Sequence, residues 1–591
     1  MRRIGALCAA LCTAGALGAA PTAGAAGVSA ASGGAASVGA AGVSAASVGT
    51  AQAPAGVAAH CPGGNLGGPA TGITVKGAPM QKAACLPSLT TGGPTGTIAT
   101  GHTDVSDWAG LAAAGTTNPT GVPGVQVDGY FPDTDPLQHS VENGWNHDAQ
   151  FVLRLPASWN GKLVITGAPG VRKQYASDQI ISDYVVAKGY AYASTDKGNS
   201  GTNFFTDGTT PGAAVAEWHQ RVTELAQAAK ATVGQVYGRA PARTYMTGIS
   251  NGGYLTRWQL ENRPDIYDGG VDWEGTLLLA QGPNLFTYLP TALANYPTYA
   301  GGGSGAAAAH DKMIAAGYAP GSEFLWADHY AEYWDLTQRS YRASFDPGFE
   351  PPGAPRDGFP FCQSGMILTP PLGRCDADYV YASRPAPVHT AVGNVSLTGR
   401  IGKPMLTLHG DLDALLPIRT DSDVYNRMIN AAGAGALHRY YVIGAGNHVD
   451  GRYDLHPGQL RPILPCYRVA FAALEGWVER GTPPPPSGFV PKPASGDVVN
   501  SCALPAAGTT GAGSASGPVR SGPTAGTAGP SAVTGPAGTA VPGSGAAPAT
   551  GAISGAQRSL AATGLRPAVP AIAGFALLGA IALARRRRLR S

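Results

Sequence analysis

From about residue 59 to residue 505 the hydrophobic pattern of this chain switches repeatedly between strand-like and helix-like periods. "AQFVLRLP" and "GKLVITGAPG" are short apolar runs that predict strands, and "DYVVAKGYAYASTD" reads as a helix end running into another strand. "AVAEWHQRVTELAQAAKATVGQVYG" spaces its apolar residues for one face of a helix. "ARTYMT" then predicts a short strand, "GGYLTRWQLENRP" a helix and "KPMLTLHG" a further strand. Such alternation predicts an α/β fold, a mostly parallel sheet with helices on both faces. The stretch from about Leu277 to Ser396 is too long for a simple crossover and predicts an inserted lid.

The two ends break this pattern. Residues 1–26 begin with Arg2 and Arg3, continue through an apolar run and close on Ala23, Gly24 and Ala25, the order of a secretory signal peptide. Residues 27–58 are uncharged low-complexity sequence, and residues 506–559 are a Gly, Ala, Pro, Thr and Ser spacer; neither composition can build a core. Residues 560–591 carry Leu560-Ala561-Ala562-Thr563-Gly564, an apolar run from Pro567 to Ala584, and then Arg585 to Arg588 and Arg590. As a helix the run would be about 27 Å long, barely a bilayer, with the arginines on the cytoplasmic side. This order resembles a cell-wall sorting signal of the LAxTG form used by class E sortases. The resemblance implies sortase cleavage between Thr563 and Gly564, peptidoglycan as the attachment partner, and a secreted, wall-anchored protein. A plain membrane anchor is the alternative.

Export changes the reading of the cysteines. Cys8 and Cys12 leave with the signal peptide, and Cys61, Cys85, Cys362, Cys375, Cys466 and Cys502 remain, an even number in an oxidising compartment. Pairing sequence neighbours, 61 with 85, 362 with 375 and 466 with 502, closes the shortest loops. No C-x-x-C metal spacing occurs among them, and no cofactor is expected. A net charge of +3 gives no electrostatic case for a nucleic-acid partner.

The candidate chemistry centres on "RTYMTGISNGGYLTRW", residues 243–258. With glycine at 85 of 591 positions, a Gly-x-Ser-x-Gly match is expected about once by chance. Context raises it: a strand precedes Ser250, a helix follows, and Gly248 and Gly252 flank the turn, as a nucleophile elbow requires. The helix start aims the Asn251 N–H at an oxyanion position. The second donor is expected from "ITGAPG", where Pro169 has no N–H, leaving Ala168 or Gly170. An acid and a histidine should follow in that chain order at later strand ends. "LTLHGDLDALLP" offers Asp411 and Asp413, of which Asp413 is preferred and Asp411 is read as a turn residue. His448 in "VIGAGNHVDG" is the candidate base, with Asp450 a local hydrogen-bond partner. His219, His409, His438 and His456 are read as structural. Ser250, His448 and Asp413 would together form an acyl-enzyme from a carbonyl substrate.

These residues resemble the tannase and feruloyl esterase family of α/β-hydrolases. The resemblance rests on "LPASWNGKLVITGAPG", "AKGYAYASTDKGNSG", "VYGRAPARTYMTGISNGG" with "RPDIYDGGV", and "ALEGWVERGTPPP", and covers most of residues 145–485. It implies an α/β-hydrolase fold and hydrolysis of phenolic esters by Ser250, Asp413 and His448. One departure is that the family's cysteines before the nucleophile and after the histidine are here Ile249 and Val449. The Ser-Asn-Gly-Gly turn is also similar to that of 3-hydroxybutyrate oligomer hydrolases, the alternative reading within the enzymes. A non-catalytic surface-display protein is the reading from another class, and the intact set of three residues speaks against it. In the lid, Phe286, Tyr288, Tyr296, Tyr299, Phe324, Trp326, Tyr330, Tyr333 and Trp334 would either line an aromatic acyl pocket or form the lid's own core.

Overall fold

The computed structural model describes residues 56–92, 102–135, 137–349 and 376–505. The chain divides into two units, residues 1–53 and 54–591, and the first lies wholly outside the described residues. So do the signal peptide, nearly all of the 27–58 segment, the spacer, the sorting sequence with Thr563 and Gly564, and Cys362 and Cys375. Among the described residues no helix is long and apolar enough to cross a membrane.

Ten strands form one sheet: β1 (Met80–Leu86), β2 (Gly124–Tyr130), β3 (Gln150–Pro156), β4 (Lys162–Gly167), β5 (Ala191–Thr195), β6 (Arg243–Ile249), β7 (Gly269–Trp273), β8 (Met405–Gly410), β9 (His438–Ile443) and β10 (Gly488–Val490). Their order is β1-β2-β3-β5-β4-β6-β7-β8-β9-β10. The pairs from β1 to β5 are antiparallel and all others are parallel. One exchange, β5 before β4, followed by strands added on one side, is the α/β-hydrolase arrangement. The parallel strands read as apolar runs because helices cover both faces. Leu163 and Ile165 of β4 point into the core beneath α1 (Ala213–Tyr237) with Val222 and Leu225. Val164 points the opposite way, into a second core that also holds Val271, Leu406 and Leu408.

Strands β1 and β2 add an edge that the sequence pattern did not announce. Gln126 and Asp128 of β2 are buried and satisfied by Arg154 (3.0 Å) and the Tyr175 hydroxyl (2.6 Å). Arg154 in turn forks onto Asp178 at 2.6 Å. A strand that buries such a polar network does not display an apolar period. Disulfides fasten both margins, Cys61 to Cys85 in β1 and Cys466 to Cys502. Cys466 lies in the closing helix, Leu464–Arg480.

Between β6 and β7 lies α2 (Asn251–Asn262). Between β7 and β8 the lid builds α3 (Leu285–Gly301), α4 (Ala306–Ala315), α5 (Glu323–Glu332), α6 (Trp334–Phe345) and α7 (Ala386–Gly393). After β8 come α8 (Ser422–Ala431) and, beyond β9, the closing helix α9 (Leu464–Arg480). The turn from β6 into α2 is sterically tight. A Cβ on Gly248 would lie 2.5 Å from the Gly252 carbonyl carbon, and one on Gly252 would lie 2.6 Å from the Gly167 oxygen. We therefore expect Gly252→Ala to lose roughly 1–3 kcal/mol in chemical denaturation. Gly301→Ala, with nothing within 4 Å of the new Cβ, should cost nothing. Equal stability of the two variants would contradict the close approach.

Candidate active site

Ser250 occupies the turn between β6 and α2 with φ 58 and ψ −120, in the left-handed half of backbone space. Such a residue costs on the order of 1–3 kcal/mol and persists only when its surroundings fix it. Here the Ser250 N–H donates to Trp273 O at 2.9 Å, and its carbonyl accepts from the Tyr254 N–H at 2.8 Å. The consequence is an Oγ held at the C-terminal edge of the parallel strands.

Two later loops reach that Oγ. His448, after β9, brings Nε2 to 3.1 Å from Ser250 Oγ. Its Nδ1 donates to Asp413 Oδ2 at 2.8 Å. Asp413, after β8, has its other oxygen fixed by the Leu415 and Leu416 N–H groups, each at 2.8 Å. Burial alone would raise the Asp413 carboxyl, but the His448 and His409 imidazoles hold it well below the usual carboxylate range. Asp411 is the turn residue expected of it, accepting the Ala445 N–H at 2.7 Å. Asp450 accepts the N–H groups of Ile463 and Leu464, at 2.6 and 2.8 Å, and so caps α9.

The oxyanion expectation needs one correction. The Ala168 N–H is spent in the sheet, donating to Thr195 O at 3.0 Å, so it cannot meet a ligand. Gly170 is the remaining donor of that pair. It lines the same cavity as Ser250 and Asn251. Asn251 also ties the two sides together, since its side-chain amide donates to Gly170 O at 3.0 Å and to the Tyr341 hydroxyl of α6.

The cavity over Ser250 has a volume of about 100 Å³. Leu285, Leu336, Tyr333 and Tyr341 close it from the lid, and Leu415 and Leu416 from the acid loop. Of the nine lid aromatics singled out in the sequence, Tyr333 alone lines it. Phe286, Tyr288, Trp326 and Trp334 are buried in the lid core, and Tyr296, Tyr299, Phe324 and Tyr330 pack against that core. Ile249 and Val449, at the places of the family's cysteines, both line the cavity. His219, bonded to the Tyr254 hydroxyl at 2.6 Å, and His438, at 2.9 Å from Thr407 Oγ1, lie in the core as expected.

Sequence reasoning missed Glu274 and, in reading His409 as structural, its closeness to Asp413. His409 Nε2 stands 3.3 Å from Asp413 Oδ2, although the residue lies inside β8. Glu274, directly after β7, is fully buried, with Oε2 at 3.9 Å from His448 Nδ1. No motif marks either residue; only the order of strand ends could have found Glu274. Among the described residues, Glu274, Asp413 and His448 are the one group whose donor atoms, all within 4.8 Å of one another, could hold a metal ion. A metal there would compete with the 2.8 Å bond between His448 and Asp413.

Parts of the chain are similar to known ester hydrolases. Residues 137–275 match the family model "Tannase and feruloyl esterase". The mono(2-hydroxyethyl) terephthalate hydrolase of Piscinibacter sakaiensis is 30% identical over 146 residues, 22% of this chain and 24% of that protein. The D-(-)-3-hydroxybutyrate oligomer hydrolase of Cupriavidus metallidurans is 32% identical over 108 residues, 17% of this chain and 15% of that protein. The chain therefore aligns with about a quarter or less of the curated relatives it matches. Among solved structures, feruloyl esterase B from Aspergillus oryzae aligns with 70% of this chain and 89% of its own, at 14% identity and a TM-score of 0.39.

Burial first, and then the charge of Asp413, raise the Glu274 carboxyl far above its usual range. The native state therefore keeps a proton that the unfolded chain gives up above about pH 4.5, so stability falls as pH rises towards the folded pKa. Glu274→Gln removes this loss. Urea denaturation should show the variant gaining on the parent as pH rises above the ordinary carboxylate range, by up to about 1.4 kcal/mol per pH unit. A difference independent of pH would mean that Glu274 is ionised in the native state.

Proposed function

We propose that this chain is a secreted serine ester hydrolase acting on carboxylic esters through an acyl-enzyme. The observation that carries the reading is the unbroken run of hydrogen bonds from Ser250 through His448 to Asp413, opening on an apolar cavity. His448 takes the Ser250 proton as Oγ attacks the ester carbonyl, and Asp413 keeps the imidazole in the tautomer with its proton on Nδ1. The N–H groups of Asn251 and Gly170 receive the developing oxyanion, a contribution of roughly 3 kcal/mol per donor. His448 then protonates the leaving alcohol, and water repeats the sequence on the acyl-enzyme.

Phenolic esters are the preferred substrates. The family-model match supports them, as do the polar residues Tyr333 and Thr337 set among leucines along the cavity. A short hydroxyalkanoate oligomer is the second reading. It is favoured by the similarity over 108 residues to the D-(-)-3-hydroxybutyrate oligomer hydrolase of Cupriavidus metallidurans. Attachment to the cell wall rests on the sequence of residues 560–591, and the Cys61–Cys85 and Cys466–Cys502 disulfides fit an oxidising exterior.

The purified protein should hydrolyse methyl ferulate or methyl gallate, and Ser250→Ala should abolish turnover. Turnover of a hydroxybutyrate dimer alone would move the substrate to the second reading, and a folded protein whose Ser250 resists a fluorophosphonate probe would sink the enzyme reading. Asp413→Asn should lower kcat by about 10⁴-fold, whereas Asp411→Asn should change it little. The reverse ranking would reassign the acid. Wall digests analysed by mass spectrometry should yield peptides ending at Thr563 joined to peptidoglycan, and an intact arginine-rich terminus in the membrane fraction would count against wall attachment.

A further inference from the structure

Glu274 has no part in the three-residue relay, yet the chain goes to some length to place it. It is a non-glycine residue held at φ 51, in the left-handed region where a side chain is strained. Its N–H donates to Leu408 O at 2.8 Å. Its Oε1 accepts the Gly410 N–H at 2.7 Å, at the point where β8 enters the acid loop. The other oxygen, Oε2, makes no hydrogen bond among the described residues and stands 3.9 Å from His448 Nδ1. Glu274, Asp413 and His448 form one buried cluster with donor atoms within 4.8 Å.

We propose that Glu274 is a second acid for His448, a positioning residue stationed behind Asp413 and able to receive the Nδ1 proton bond when the Asp413 carboxyl is removed. This rests on the serine-hydrolase reading of the site. Two ionised carboxylates in that space would repel each other, so one holds the proton, and the direction of both shifts assigns it to Glu274. The ionised partner is Asp413, which already has two imidazoles and two backbone N–H groups on it. Without Asp413, the smaller of the two main causes that hold the proton on Glu274 is gone while its burial remains, and from 3.9 Å its carboxyl need advance only about 1 Å to reach hydrogen-bonding distance of Nδ1. An amide at position 413 would prevent this by filling the space.

The test is a comparison of full-length Asp413→Ala, Asp413→Asn, Glu274→Gln and the double variant Asp413→Ala with Glu274→Gln, on the best ester found for the parent. We expect Asp413→Ala to retain at least about tenfold more kcat/KM than Asp413→Asn, which forces the wrong tautomer. We also expect its pH profile to move upward, because a carboxyl that titrates higher now has to ionise. Adding Glu274→Gln should cost Asp413→Ala at least about tenfold, and more than the same change costs the parent. Asp413→Ala as inactive as the double variant, with the same pH profile as Asp413→Asn, overturns the proposal. Should Asp413→Ala fail to fold, Asp413→Ser makes the same comparison. The infrared band of a protonated buried carboxyl at neutral pH, lost in Glu274→Gln, is a readout on the parent protein alone, and its absence also overturns the proposal. A parent that neither turns over esters nor labels at Ser250 would instead defeat the underlying reading, and the infrared result would stand apart from it.

Discussion

Everything at this site depends on one contact between two stretches of bare backbone, where Gly252 at the start of α2 meets the Gly167 carbonyl at the end of β4. With no side chain between them, the helix can begin immediately after Ser250, and the serine is forced into its left-handed conformation. The same proximity lets the Asn251 amide reach Gly170, so a hydrogen bond ties the loop after β4 to the turn after β6. A single added carbon would separate them and would displace Ser250 Oγ from His448 Nε2.

Beneath this turn a buried cation joins the segments that carry Ser250 and Asp413. Arg257 of α2 holds Asp272 of β7 at 2.7 Å and Asp421 at 2.9 Å, all three essentially without solvent contact. Its remaining nitrogen donates to Ser422 Oγ, which lies 2.6 Å from His409 Nδ1, and His409 stands against Asp413. Asp421 also accepts the Leu277 N–H at the base of the lid. Breaking such a buried pair from one side typically costs 3–5 kcal/mol. Turn, acid loop and lid therefore share one electrostatic anchor. The lid is held from above as well: Trp334 donates to Ala414 O at 2.7 Å, and Arg452, shortly after His448, pairs with Glu332.

The sequence made legible what depends on local order. Strand and helix periods, the glycines around Ser250, and the succession of Asp413 and His448 at strand ends are all properties of short segments, and the structure brings those three side chains within hydrogen-bonding distance. What stayed hidden depends on contacts between distant segments. Glu274 and His409 acquire meaning only because β7, β8 and β9 end side by side. Ala168 and Gly170 were equivalent until the sheet claimed the N–H of the first. The lid aromatics were ambiguous for a related reason, since a core and a binding pocket draw on the same residues. In β2 a buried polar network masked the apolar period of a strand.

The Cys466–Cys502 bond has a mechanical meaning. The edge strand β10 is three residues long and joined to the sheet along one side only. Tension applied to the chain beyond residue 505 would, without the bond, peel that strand away first. With the bond in place the load enters at Cys502 and crosses directly to Cys466, at the start of α9, which packs against β7 and β8. Residues 467 to 501 are thereby bypassed, and a pulling force meets the central sheet rather than its weakest edge.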